Sequence, residues 1–277
     1  MSKSFDDREG WLWMNGEFVP WKKATSHVIS QGLHYASTVF EGERAYNGKI
    51  FRSVQHTNRL FNSAQIMGMK IPYSKDQINQ AKDDLILKMN FKNCYVRPVV
   101  WRGSAQMGIS TKNSDIHVAI AVWDDWASYF KIEDRLEGLR LITSPWKRPS
   151  PESVPFAAKA SGPYYMCTLS KEYAEQKGYH DALMLDYRNY IAEGTGANIF
   201  FIKDNKIDTP IADCFLNGIT RQAVIEMMKN KGFEIFEKHI LPEEIKDYEE
   251  AFLTGTAAEI TPIKSIDNYK FNTGKNT

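Results

Sequence analysis

Short apolar runs bounded by turn residues alternate with amphipathic segments of helical period from Trp11 to Ile260, and no segment repeats another. That alternation restricts the chain to mixed helix and strand classes. WLWMNGEFVPW sets Asn15-Gly16 between two apolar runs, the signature of a two-residue hairpin. SVQHTNRLFNSAQIMGM carries Leu60, Ala64 and Met67 at helical spacing, and DQINQAKDDLILKM is a second amphipathic helix. YVRPVVW and DIHVAIAVW read as strands, after which DDWASYFKIEDRLEG turns polar and aperiodic. A domain joint is therefore expected near Tyr129–Arg135. Beyond it, strand LRLITSPW, helix SGPYYMCTLSKEYAEQKG and strand DALMLD precede a hairpin over YIAEGTGANIFFIKDNKID. Helix TRQAVIEMMKNKG ends at Gly232, a residue suited to a helix C-terminus, and EAFLTGTAAEI is the expected last strand. The expectation is an α/β (α+β) two-domain enzyme. A smaller N-terminal α/β domain spans 1–128, a loop 129–135, and a larger C-terminal domain 136–277.

Composition excludes several classes. The chain has 277 residues, 43% hydrophobic and 25% charged, with a net charge of +1. It has no basic run longer than Lys22–Lys23, so neither nucleic acid nor a membrane surface is an expected partner. The N-terminus has no apolar signal core, and no stretch approaches the ~18 apolar residues of a membrane span. Cys94, Cys167 and Cys214 match neither a disulfide framework nor a metal spacing, which suits a reducing compartment. The reading is a cytoplasmic protein without a metal.

SPESVPFAAKASG places Lys159 among small and apolar residues, and YIAEGTGANIFF places Glu193 in a Gly-rich turn between apolar runs. A lysine that bonds an aldehyde and an acid that keeps a ring nitrogen protonated are what pyridoxal phosphate requires. Alone, each segment also fits a surface lysine or a plain turn. FLNGITRQAV opens a helix at Gly218, Ile219 and Thr220, either an anion site on free N–H groups or a simple cap by Thr220. LTGTAAEI gives a second Gly/Thr turn, at Gly255 and Thr256, able to hold a phosphate oxygen or a carboxylate. Arg59 is either a solvated arginine or a phosphate clamp. Tyr95 and Arg97, two apart on one strand, either line a site or pack at a sheet edge.

HYASTVFEGERAYNGKIFR, HTNRLFNSA, YVRP, AAKASGPY, EGTGANIFF, LNGITRQ and LTGTAAEITP follow one another in this order. Together they resemble the branched-chain amino acid aminotransferase family, among the fold-type IV pyridoxal phosphate enzymes, over nearly the whole chain. The resemblance implies transamination between leucine, isoleucine or valine and 2-oxoglutarate. It implies that Lys159 links the cofactor, Glu193 meets the pyridine nitrogen and Tyr164 the phenolic oxygen. Arg59, Ile219, Thr220 and Thr256 match the phosphate cup. Thr256, Ala257 and Ala258, with Tyr95, match the receiver of the substrate α-carboxylate. Tyr35, Phe40, Trp126 and Tyr129 match the aromatic wall of the side-chain pocket, and Arg97 helps accept the distal carboxylate of glutamate. At least a homodimer is implied.

Ala197 stands where many members carry glutamate, and Pro163 where asparagine or glutamine is common. The chain stops at FNTGKNT, and the expectation is that the family's last helix is missing. Two rivals keep the same fold: a D-amino acid aminotransferase and an aminodeoxychorismate lyase. YVRP, the GTAAE turn and the aromatic wall stand nearer the branched-chain pattern. A non-catalytic pyridoxal phosphate-binding protein is the third alternative, and the competent residue at every cofactor position argues against it.

Overall fold

The computed structural model describes residues 4–124 and 130–273. The chain divides into two compact units. One is Met1–Trp126 with Ala158–Gly162, and the other is Ala127–Ala157 with Pro163–Thr277. The sequence-derived joint at 129–135 falls in the second unit. There the helix Ile132–Glu137 is formed, while Tyr129 lies outside the described residues.

The first unit is a seven-stranded antiparallel sheet with two long helices and the short helix Gln31–His34. Its hairpin pairs Trp11–Met14 with Glu17–Pro20 through Asn15 at φ 52° and Gly16 at φ 99°. Two successive positive φ values give the primed turn whose twist matches the strands, and Asn-Gly tolerates them best. The strands Cys94–Arg102 and Ile116–Trp123 pair along their full lengths at the sheet centre. Helix Ser53–Ile66 buries Leu60 and Ala64. Helix Lys75–Met89 starts with a reciprocal cap between Ser74 and Gln77 and buries Ile78, Leu85 and Ile86. These side chains pack with Val39, Val96, Val100, Val118 and Ile120 in one core.

The second unit is a nine-stranded mixed sheet. Ile191–Gly194, Asp181–Leu185, Leu139–Thr143, Glu259–Ile266, Glu250–Gly255 and Asn198–Lys203 run in that order, and a pairing of Glu193 with Asn198 closes them into a ring. Closure removes the free edges of these strands. Leu141, Leu183, Ile199, Leu253 and Ile263 pack in one core. Phe200 and Phe252 stack at 5.0 Å and pack with Val224 of helix Ile219–Asn230 in another.

Two local expectations change. The strand expected to end the chain is followed by Glu259–Ile266 and Tyr269–Lys270. Pro262 makes EITPIKSI look unlike an interior strand, because proline lacks the ladder N–H. Pairing with Leu139–Thr143 begins only at Ile263, so the missing donor is not needed there. The helix after Asn217 starts at Ile219 with Gly218 as its cap, so Thr220 lies inside the first turn.

Candidate active site

Lys159 lies in a segment held on both sides by the first unit. Val39 bridges Ala160, the Phe40 N–H donates to the Lys159 carbonyl at 3.1 Å, and the Ser161 N–H donates to Thr38 O. The Lys159 N–H donates to Ser63 Oγ at 2.9 Å. Ala158 and Ala160 are buried in the unit's core, which explains why small residues flank this lysine. Lys159 Nζ stands 4.9 Å from the Phe40 ring centre, and the Arg97 guanidinium carbon is also 4.9 Å from that ring. Arg97 Nη2 donates to the Tyr95 hydroxyl at 3.1 Å. The structure thus brings Lys159, Phe40, Tyr95 and Arg97 together. A side-chain carbon at Gly42 would stand 2.1 Å from the Tyr95 hydroxyl, so this approach needs a glycine there. Burial lowers the Lys159 amine most, and the charges of Arg59 and Arg97 add to the effect. Glu41 and Tyr95 oppose it, leaving the amine at about 8.

Arg59 is not a solvated arginine. Its Nε donates to Glu41 Oε1 at 2.6 Å and its Nη2 to Glu41 Oε2 at 2.8 Å, with only 14% of its side chain exposed. His56 Nδ1 meets the same Oε2 at 2.6 Å. Glu41 is fully buried. Burial works against its charge, yet Arg59 and His56 outweigh that and hold the carboxyl at about 2. Glu41 occupies a break made by Pro98. Thr38–Phe40 and Glu43–Tyr46 pair with Cys94–Arg102 on either side of it, and the Glu41 N–H donates to Pro98 O. Sequence reasoning missed Glu41. The available signal was Glu41 and Glu43 at spacing two beside apolar Phe40, with His56 and Arg59 on one helix face.

In the second unit a register shift between Ile191 and Glu193 marks a bulge beside Glu193. Bulges of this kind re-aim side chains. Glu193 is buried. Arg148 Nε lies 3.4 Å from its Oε1 and Asn198 Nδ2 donates to its Oε2 at 3.2 Å. The Asn198 oxygen accepts the Gly218 N–H at 3.1 Å, and its Nδ2 also donates to Leu216 O. One amide therefore ties the carboxylate to the start of helix Ile219–Asn230. Asn198 is also the register partner of Thr254, two residues before the Thr256–Ala258 turn. Both candidate anion turns are fixed through this residue. Ala197 packs 3.5 Å from the Cβ position of Gly255, beside that turn. Ala258 is buried, while Thr256, Ala257 and Thr220 are partly so and Ile219 is buried. Tyr164 opens the helix Tyr164–Gln176 after Pro163 and packs against Met166, Cys167 and Met184. Arg148 and Asn198 were not found from sequence, because their partners are distant or unmarked by any pattern.

Tyr35 ends the short helix Gln31–His34 and is 46% exposed, with its ring 6.4 Å from that of His34. Trp126 and Tyr129 lie outside the described residues. Asp186, Asp213 and Cys214 come within metal-ligand reach of one another. The guanidinium of Arg188 already takes the cation's place, at 2.6 Å from Asp186 and 2.9 Å from Asp213.

In the first unit, an amine lowered to about 8 suits an aldehyde. In the second, a buried carboxylate flanked by an arginine suits a basic ring nitrogen, and a glycine-capped helix start suits a phosphate. Residues 38–266 match the family described as Amino-transferase class IV. The chain is 44% identical over 267 residues to a probable branched-chain-amino-acid aminotransferase of Rickettsia bellii, covering 96% of this chain and 91% of the relative. It is 42% identical over 276 residues to the branched-chain-amino-acid aminotransferase of Pseudomonas aeruginosa, covering 98% and 90%. Among solved structures, the branched-chain aminotransferase from Thermoproteus uzoniensis with norvaline superposes with a TM-score of 0.91 at 34% identity, covering 96% of this chain and 90% of that one. The branched-chain amino acid aminotransferase from Thermobaculum terrenum in its PLP-form gives 0.85 at 30%, covering 95% and 87%. On the strength of this match over residues 38–266 and of relatives 42% and 44% identical over nearly the whole chain, the chain belongs to the class IV aminotransferase family.

Proposed function

We propose that Lys159 is the catalytic amine of this aminotransferase and Glu193 the acid for its cofactor's ring nitrogen. The protein transfers amino groups between the branched-chain L-amino acids leucine, isoleucine and valine and 2-oxoglutarate, with pyridoxal phosphate as cofactor. The products are branched-chain 2-oxo acids and L-glutamate. One observation carries the assignment of Lys159: its segment is bonded on both sides into the first unit, between buried Ala158 and Ala160, with Nζ 4.9 Å from the Phe40 ring centre. Burial, Arg59 and Arg97 lower its amine to about 8, which leaves roughly a tenth of it neutral at pH 7, against well under a thousandth for an unperturbed lysine at about 10.4.

When bound, the cofactor supplies an electron sink for the charge left at the substrate Cα. Lys159 Nζ removes the Cα proton and later returns it on the cofactor side, acting as base and then as acid. Glu193, 3.4 Å from Arg148 Nε, would hold the ring-nitrogen proton. Tyr164 meets the phenolic oxygen. The N–H groups at Ile219 and Thr220 would hold the phosphate at the helix start, and Arg59 and Thr256 are proposed as further phosphate ligands. The Thr256–Ala257–Ala258 turn and Tyr95 orient the α-carboxylate. Phe40 and Tyr35 offer an apolar surface to the substrate side chain, where each buried CH₂ is stabilised by about 0.8 kcal/mol. Arg97 accepts the distal carboxylate of glutamate.

A homodimer or larger homo-oligomer belongs to the same proposal. Val28, Leu33 and Ile109, all strongly exposed in the isolated chain, support it. No helix of the described residues is long and apolar enough to cross a membrane. The three buried free thiols support a cytoplasmic placement. Titrating purified protein with L- and D-leucine in turn, while following its visible absorbance, tests the substrate reading. Conversion by L-leucine with 2-oxoglutarate is expected. Conversion by the D-isomer alone would overturn it.

A further inference from the structure

Glu41 has no place in the chemistry described so far, yet it is the most completely enclosed acid near Lys159. Its carboxylate is fully buried and engages three nitrogens: Arg59 Nε, Arg59 Nη2 and His56 Nδ1. Burial keeps His56 below its usual value, so the ring is neutral at neutral pH. An ionised carboxylate can only accept, which puts the imidazole proton on Nδ1. Arg59 and Ser63 lie one turn apart on helix Ser53–Ile66, and Ser63 Oγ accepts the Lys159 N–H. The same helix thus fixes the guanidinium and the lysine backbone.

We propose that Glu41 is a positioning residue. Its carboxylate clamps the Arg59 guanidinium in one orientation and supplies the negative charge that balances Arg59 and Arg97 around the Lys159 amine. This rests on Lys159 being the reactive amine.

The charged and titratable groups acting on Lys159 are Arg59 and Arg97 from one side of the balance and Glu41 and Tyr95 from the other. Those facing Glu41 are Arg59 and His56. Glu43 lies two residues along and pairs with Lys82 at 2.9 Å; burial pushes its carboxyl up to about 7, so the pair adds little net charge only above that pH, where the Lys159 midpoint is read. Glu41→Gln keeps the shape and an acceptor for Arg59 but deletes the charge. Two cations would then face the amine with one less anion to offset them, so the amine should deprotonate more easily. A purely structural role predicts the opposite sign: a loosened site admits water, and Lys159 drifts up toward an ordinary lysine.

The test uses cofactor-free protein with ¹³C-methylated lysines, the Lys159 signal being assigned from its loss in Lys159→Arg. Glu41→Gln should move the Lys159 titration midpoint down by about one pH unit. Glu41→Asp, which keeps the charge, should restore it to near the wild-type value. An unchanged or raised midpoint in Glu41→Gln overturns the proposal. If that variant does not fold, Arg59→Gln asks the question from the other side. Removing the cation should raise the midpoint, while Arg59→Lys, which keeps the charge, should leave it near the wild-type value; no rise in Arg59→Gln, or an equal rise in both variants, overturns the proposal. Because no cofactor is present, the titration stands apart from the separate question of whether Lys159 reacts with pyridoxal phosphate.

Discussion

Gly218 approaches Asn198 so closely that a side-chain carbon on the glycine would meet the amide oxygen at 2.3 Å. That oxygen accepts the Gly218 N–H while the same amide donates to Glu193. The helix start and the acid are thus set by one side chain. Gly218→Ala should push Asn198 away and weaken both. Pyridoxal phosphate affinity, measured by equilibrium dialysis, should fall about tenfold or more, the equivalent of roughly 1.4 kcal/mol. Unchanged affinity would show that the Asn198 link does not serve the cofactor.

Arg97→Ala should separate the two half-reactions. Glutamate should lose a buried charge contact, on the order of 2–5 kcal/mol, while leucine needs no charge at that position. Leucine should still lose a small factor, because Arg97 also packs over Phe40 and donates to Tyr95. Single-turnover rates with each substrate measure the split, and equal losses would place Arg97 at the α-carboxylate or in the fold.

Acid should strip one identifiable contribution to stability. The Glu41 carboxyl is held at about 2 in the folded chain against an ordinary value of 4.5. A depressed folded value means stability present above the unfolded value and lost as pH falls through the folded one, here from about 4.5 to about 2. The amount is on the order of 3 kcal/mol. Lys159 gives the opposite end: its lowered folded value means the unfolded chain binds more protons between about 8 and 10.5, so cofactor-free stability should rise across that window. Denaturant titrations of wild type and Lys159→Met across that range should show the rise only in the wild type.

The pair Lys82–Glu43 is buried at both ends, with Lys82 also donating to Thr57 Oγ1 at 2.9 Å. Lys82→Met should destabilise the protein by about 3–5 kcal/mol, because it strands a buried acid. The double change Lys82→Met with Glu43→Leu should recover most of that loss. A double variant no more stable than the single one would contradict this account of the pair.

Much of this architecture was legible where the chain carries local signals. Asn15-Gly16 gives the hairpin, and the spacing of Leu60 and Ala64 gives the helix that carries Arg59. Lys159 stood out because its neighbours are alanines, and the structure explains them as core residues on either side of the lysine. Glu259–Ile266 was not legible, since Pro262 disguises a strand whose second partner pairs only beyond the proline. Glu41, Arg148 and Asn198 were equally hidden. Each works through a partner made near only by folding: Arg59 for Glu41, and Glu193 for the other two. No periodicity marks such pairs.

The central claim is that Lys159 is the lysine that bonds the cofactor. Borohydride reduction of the pyridoxal phosphate-loaded protein, followed by peptide mapping, tests it most directly. The account predicts a stable phosphopyridoxyl label on Lys159, with none in Lys159→Ala. A label on another lysine in the wild-type protein, or no label on any, would contradict it.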